Sequence, residues 1–84
     1  MNADALRQEL AQMVDRATQG GVRAADALAG EASLAALGLD SLGLLRLVDA
    51  IELAYGIEID AGGGSRRVGT LDDLVTRILA AGAH

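Results

Sequence analysis

Apolar residues recur at helical spacing in three stretches of the chain, separated by two segments that lack it. In the first stretch Leu6, Leu10, Met13, Val14 and Ala17 repeat every three or four residues. Arg7, Glu9, Gln12, Asp15 and Arg16 fall mostly on other faces, so the pattern predicts an amphipathic helix over residues 3–18. Asn2 is placed to cap it and Gly20-Gly21 to stop it. The second stretch predicts a helix over 41–55 with Leu44, Leu47, Val48, Ile51, Ala54 and Tyr55 as its core stripe. A neighbouring stripe, Leu42, Leu45, Asp49 and Glu52, is apolar at its start and acidic further along, and Gly56 suits a left-handed cap. The third predicts a helix over 71–81 that buries Leu71, Leu74, Val75, Ile78 and Leu79. Thr70 caps it, and Asp72 and Asp73 oppose the positive end of its dipole.

The segments between these helices read differently. Residues 19–40 form a long loop with scattered apolar side chains: Val22, Leu28, Leu34, Leu37 and Leu39. A connection of that length is uncommon unless it packs its own side chains or serves a function. Ser33, Leu34-Ala35-Ala36-Leu37 and Gly38 read as one capped helical turn inside it, pinned to the helices by leucine. Residues 56–69 form a connector. Ile57-Glu58-Ile59-Asp60 is an extended piece that turns its isoleucines inward, and 61–69, with Gly62-Gly63-Gly64 and Arg66-Arg67, is the expected mobile stretch. The fold class expected is therefore all-α: a small four-helix bundle of three main helices and a short, degraded third helix, in one domain over 1–84 with no internal repeat.

Composition supports this reading and narrows the function. Hydrophobic residues make up 51% of the 84, yet Tyr55 is the one aromatic, so alanine and leucine, both good helix formers, must build the core. Proline is absent, and glycine, 11 in number, does the punctuating. A domain of this size has no room for an enclosed catalytic cleft. Twelve acidic residues against seven arginines give a net charge of −5, which disfavours nucleic acid and favours basic patches on partner proteins. There is no cysteine for thiolate or zinc chemistry. No apolar run reaches the ~18 residues of a membrane span, and the N-terminus has no basic segment followed by an apolar one. The expectation is a cytoplasmic monomer that binds neither membrane nor nucleic acid.

Candidate chemistry sits at the start of the second helix. Leu37-Gly38-Leu39-Asp40-Ser41-Leu42 puts a serine where unpaired backbone N–H groups and a positive dipole would favour an attached phosphodiester. A serine or aspartate before a helix is more often a cap than a modified residue, and that tripeptide alone favours capping. The wider context reverses the balance. The run LGLDSLGLLRLVDAIELAYGIEI resembles the acyl carrier protein family over its most diagnostic stretch. Its Asp-Ser-Leu stands at Asp40-Ser41-Leu42, its helix exit at Gly56 to Ile59, and Thr70 to Leu74 is similar to the start of the family's last helix.

This resemblance implies that Ser41 receives 4′-phosphopantetheine from coenzyme A, delivered by a phosphopantetheinyl transferase whose magnesium is its own. It implies that Asp40 presents the serine to the transferase, and that Leu42, Leu45, Asp49 and Glu52 form the docking face. Partners would be acyl-loading and acyl-processing enzymes, such as a ketosynthase or an adenylating ligase, and the chain itself would hold no catalytic residue and no metal. Arg46, Gly43, the glycine run and the Arg66-Arg67 pair depart from fatty-acid-synthesis carriers and point to a discrete carrier of polyketide or related specialised biosynthesis. An aminoacyl or peptidyl carrier of nonribosomal synthesis is the runner-up, and an unmodified helical adaptor the reading from another class. Elsewhere the plain readings hold: His84 as a solvated tail, Asp72-Asp73 as dipole compensation, Arg66-Arg67 as a solvated pair, Tyr55 as packing.

Overall fold

The computed structural model describes residues 2–59 and 68–82, and every described element is a helix. In chain order these are α1 (Ala3–Ala17), α2 (Ala24–Ala29), α3 (Leu34–Leu37), α4 (Ser41–Tyr55) and α5 (Leu71–Ala80). The protein is all-α, as the periodicity predicts.

Local chemistry sets the helix ends. The Asn2 side chain accepts a bond from the Ala5 N–H at 2.7 Å, and Ser33 Oγ accepts one from Ala36 at 3.1 Å. At α5, Thr70 and Asp73 form a reciprocal capping box. Helix α4 ends on Gly56 with φ +66°, a left-handed conformation that glycine adopts without penalty. Helix α1 stops one residue earlier than expected. Gln19 takes φ +54° there, with Gly20 N–H donating to Asp15 O and Gln19 N–H to Arg16 O, which is a Schellman closure.

One core runs through all five helices. Leu6, Leu10, Val14, Leu34, Leu47, Ile51 and Ile78 are fully buried, and Val22, Leu39 and Val68 join them from the connections. The loop leucines thus fix the loop as expected, with Leu34 and Leu39 inside and Leu28 and Leu37 half-buried. Two polar ties add to this. Arg7 of α1 donates to the Leu28 carbonyl at the end of α2 and to Asp72 of α5 at 2.8 Å. Thr18 Oγ1 donates to Val14 O at 2.8 Å and accepts from Val22 N–H at 2.9 Å, folding the loop back on α1.

Four details correct the sequence reading. The 19–40 loop contains a second helix, α2, where no periodicity shows: it has six residues, buries only Ala27, and takes its cap not from Arg23 but from Asp15 of α1, whose carboxylate accepts the Ala24 N–H at 3.0 Å. Ala54, placed on the core stripe of α4, is exposed. Leu79, placed on the buried face of α5, is 41% exposed, because it falls at the edge of the stripe formed by Leu71, Leu74, Val75 and Ile78. Val68 and Gly69, expected within the mobile stretch, are fixed: Val68 is buried, and the Gly69 carbonyl accepts from Leu34 N–H at 2.8 Å. Ile57 and Ile59 are half-buried against the core, as the alternation suggests. The short third helix, the glycine run and Arg66-Arg67 lie outside the described residues.

Candidate functional site

Four consecutive residues prepare the start of α4, each with a different task. Gly38 turns the chain at φ +120°, a value side chains rarely adopt. Leu39 is buried, and its N–H donates to Leu34 O at 2.9 Å, which anchors the segment against the core. Asp40 is the N-cap: its side chain accepts from Gly43 N–H at 2.7 Å, and its carbonyl accepts from Leu44 N–H at 2.9 Å. Ser41, the first helical residue, is exposed.

That assignment separates two readings that the tripeptide alone leaves mixed. The cap is Asp40, so Ser41 is not needed for capping. Among the described residues no hydrogen bond engages its hydroxyl. The Ser41 and Leu42 N–H groups precede the first intrahelical bond and point out of the helix end, where the dipole of a 15-residue helix is positive. A phosphodiester on Ser41 Oγ fits this setting sterically and electrostatically.

Gly43 does more than loosen the first turn. It is buried, and a β-carbon there would lie 3.1 Å from Leu39 Cδ1, 3.2 Å from Asp40 Oδ1 and 3.2 Å from Thr18 Cγ2. Its bare backbone lets the end of α1 and the Leu39-Asp40 segment close on α4 together.

The expected docking stripe is mostly present as a surface. Leu42 and Leu45 are 55% and 58% exposed, and Asp49 is exposed. Glu52 differs: it is half-buried, and its carboxylate accepts the Ile59 N–H at 3.0 Å, so it holds the exit from α4. The sequence reading missed Leu53, at 88% the most exposed large hydrophobic residue among those described. The spacing 42, 46, 49, 53 could have revealed it, since those positions lie on one helical face.

The other singled-out residues are structural. Tyr55 is half-buried, and its hydroxyl donates to Glu9 Oε2 at 3.0 Å. Burial, with the Glu9 bond and charge added, pushes the phenol up to about 12. Asp73 caps α5, while Asp72 pairs with Arg7 besides facing the helix dipole. No group of three or more His, Cys, Asp or Glu among the described residues is placed to hold a metal ion. No described helix is long and apolar enough to cross a membrane. His84 lies outside the described residues.

A family model described as "Phosphopantetheine attachment site" matches residues 4–63, which takes in all of α1 but its first residue and the whole of α2, α3 and α4. No curated protein and no solved structure gives a significant match.

Proposed function

This chain belongs to the phosphopantetheine attachment site family, and from that premise we propose that Ser41 bears the arm and that the protein is a discrete acyl carrier of polyketide or related specialised biosynthesis. Members of this family carry 4′-phosphopantetheine covalently. The observation that supports Ser41 is its position: exposed at the first residue of α4, its hydroxyl uncommitted because Asp40 does the capping.

Loading requires little of the protein beyond presentation. In the transferase's active site the Ser41 hydroxyl oxygen forms a new bond to the phosphorus that bears pantetheine in coenzyme A. The bond from that phosphorus to the rest of coenzyme A breaks, 3′,5′-ADP leaves, and the hydroxyl proton passes to a base of the transferase. The open first turn of α4 favours the resulting anion. Asp40 holds that turn in place and offers a carboxylate beside the serine to the transferase's basic surface. When bound, the arm supplies a terminal thiol that carries acyl groups as thioesters. No residue of this chain takes part in acyl chemistry, so the protein is a substrate and carrier, not a catalyst.

Leu42, Leu45 and Asp49, with Leu53 added, make the docking face for acyl-loading and acyl-processing enzymes. Arg46 and this apolar face support a dedicated partner set, since carriers of fatty acid synthesis are acidic along the same helix. Treating the protein with a transferase, coenzyme A and magnesium should add about 340 Da, and Ser41→Ala should add nothing. Unmodified wild-type protein after incubation with several transferases of broad scope would defeat the proposal. Such a result would favour the unmodified adaptor. Loading the holo protein with acyl and aminoacyl donors in parallel separates an acyl from an aminoacyl carrier.

A further inference from the structure

A groove of about 270 Å³ opens between the end of α1, the loop after it and the first turns of α4. Asp40 and Leu42, the residues on either side of Ser41, both line it. We propose that this groove is the resting seat of the proximal, polar part of the arm; the inference rests on Ser41 being the attachment point.

The lining matches that occupant. From the phosphate outward the arm offers a phosphodiester, a gem-dimethyl group, a hydroxyl and two secondary amides. The groove offers Arg46, whose exposed guanidinium has no ion pair among the described residues, as the cation for the phosphodiester. Ala17 and Leu42 supply apolar contact for the gem-dimethyl group. Gln19 brings a side-chain amide for the arm's amides, and Gly21 and Gly38, whose N–H groups are bonded to Thr18 O and Ala35 O, leave the wall free of side chains. Thr18 and Asp40 shape the groove, since Thr18 Oγ1 is bonded to Val14 and Val22 and Asp40 Oδ1 to Gly43.

Two backbone features add weight. Gln19 is the one non-glycine residue of positive φ among those described, at the Schellman position where glycine is usual. A left-handed non-glycine residue is strained, and such strain collects at functional sites. Gln19 lines the groove from that position. Gly43 is the second: it lines the groove, and a β-carbon there would occupy the space between Thr18, Leu39 and Asp40. Size sets the limit of the occupant, because the volume falls just below the ~300 Å³ at which small-molecule sites begin. The polar part of the arm fits that space; a long acyl chain does not, and the polar lining would leave it poorly matched.

The test compares ¹H–¹⁵N spectra of the apo and holo protein, the holo form made with a transferase and coenzyme A and verified by intact mass. The expected result is a set of amide shifts at Gln19 and Gly21, both distant in sequence from Ser41. Nuclear Overhauser contacts from the arm's gem-dimethyl group to Ala17 and Leu42 should accompany them. Arg46→Ala and Gln19→Ala, both at exposed positions, should shrink the distant shifts severalfold while the spectrum stays that of a folded protein. Shifts confined to the residues flanking Ser41, with no arm contact, would mean a freely swinging arm and overturn the inference while leaving the carrier reading intact. Contacts from the arm to α5 would overturn it as well. Failure to gain the mass would instead remove the Ser41 reading, and the groove seat with it.

Discussion

Gly43→Ala is the substitution for which simple helix rules and the packing at α4 disagree most sharply. On propensity alone alanine gains up to about 1 kcal/mol over glycine inside a helix, and less in a first turn. The structure opposes that gain from three sides. The new methyl would meet Leu39 Cδ1 at 3.1 Å, Asp40 Oδ1 at 3.2 Å and Thr18 Cγ2 at 3.2 Å. None of the three can easily retreat. Leu39 is buried in the core, Thr18 is held by its bonds to Val14 and Val22, and Asp40 Oδ1 accepts the capping bond from residue 43 itself. Overpacking of this kind costs about 1–3 kcal/mol, and a weakened cap adds part of the ~0.5–2 kcal/mol that a cap is worth. The net expectation is a loss of about 1–2 kcal/mol. For a domain of this size that is a fall in Tm on the order of 5–15 °C. Thermal and urea unfolding followed by circular dichroism measure it, with Ser41→Ala as the exposed control expected within about 0.5 kcal/mol of wild type. A Gly43→Ala protein as stable as wild type, or more so, would refute the packing argument and leave propensity in charge of this turn.

Asp40→Ala should lose the cap and about 1 kcal/mol, whereas Asp40→Asn should keep stability yet be loaded more slowly by the transferase; equal loading of Asn and Asp variants would show that the charge has no role. Arg7→Met keeps the side-chain stem but removes the bonds to Leu28 O and Asp72, for an expected loss of about 1–2 kcal/mol and faster amide exchange in α2. Most of that should come from the carbonyl bond, because Asp72 is 63% exposed, so an Asp72→Asn variant that proved equally damaging would contradict the assignment. The Tyr55 phenol stands raised from 10.0 to about 12 in the folded protein. Its contribution to stability is therefore full below pH 10 and is lost as the pH rises from about 10 through 12, where the unfolded chain gives up the proton first. Tyr55→Phe should flatten that alkaline decline in denaturation curves, and an unchanged decline would assign it to another group. Leu53→Ser should leave stability within about 0.5 kcal/mol of wild type and raise the KM of partner enzymes without changing kcat; an unchanged KM would show that the docking face stops short of the end of α4.

The sequence revealed most where the physics is local. Caps at Asn2, Ser33 and Thr70 and the left-handed Gly56 follow from short-range hydrogen bonding and backbone freedom, and each is found as expected. Helix α2 stays hidden because its stability comes from elsewhere: six residues with one buried alanine are held at their two ends by Asp15 and Arg7 of α1, contacts that no pattern within 24–29 encodes. The same limit applies to α4. Periodicity placed Ala54 inside because it measures angle around the helix, while burial also needs a neighbour at that height along the axis. Periodicity puts Glu52 on the docking face and cannot show its tie to Ile59, which depends on how the chain leaves the helix. At Asp40-Ser41 the motif was legible, but which residue caps and which stays uncommitted became clear only from the bond to Gly43.

Charge and contact chemistry divide differently along this molecule. Its net charge of −5 creates a field that favours approach by basic surfaces over many ångströms. The exposed face of α4 does not continue that field: Arg46 offsets Asp49, Glu52 is spent on Ile59, and Leu42, Leu45 and Leu53 supply most of the remaining surface. Long-range attraction would therefore govern how quickly a partner arrives, while apolar contact would govern how long it stays. A carrier must visit several enzymes and leave each one. On the proposed docking role of this face, few fixed ion pairs would suit that requirement, because discrimination would then fall to shape along Leu42 to Leu53 and to the single cation at Arg46.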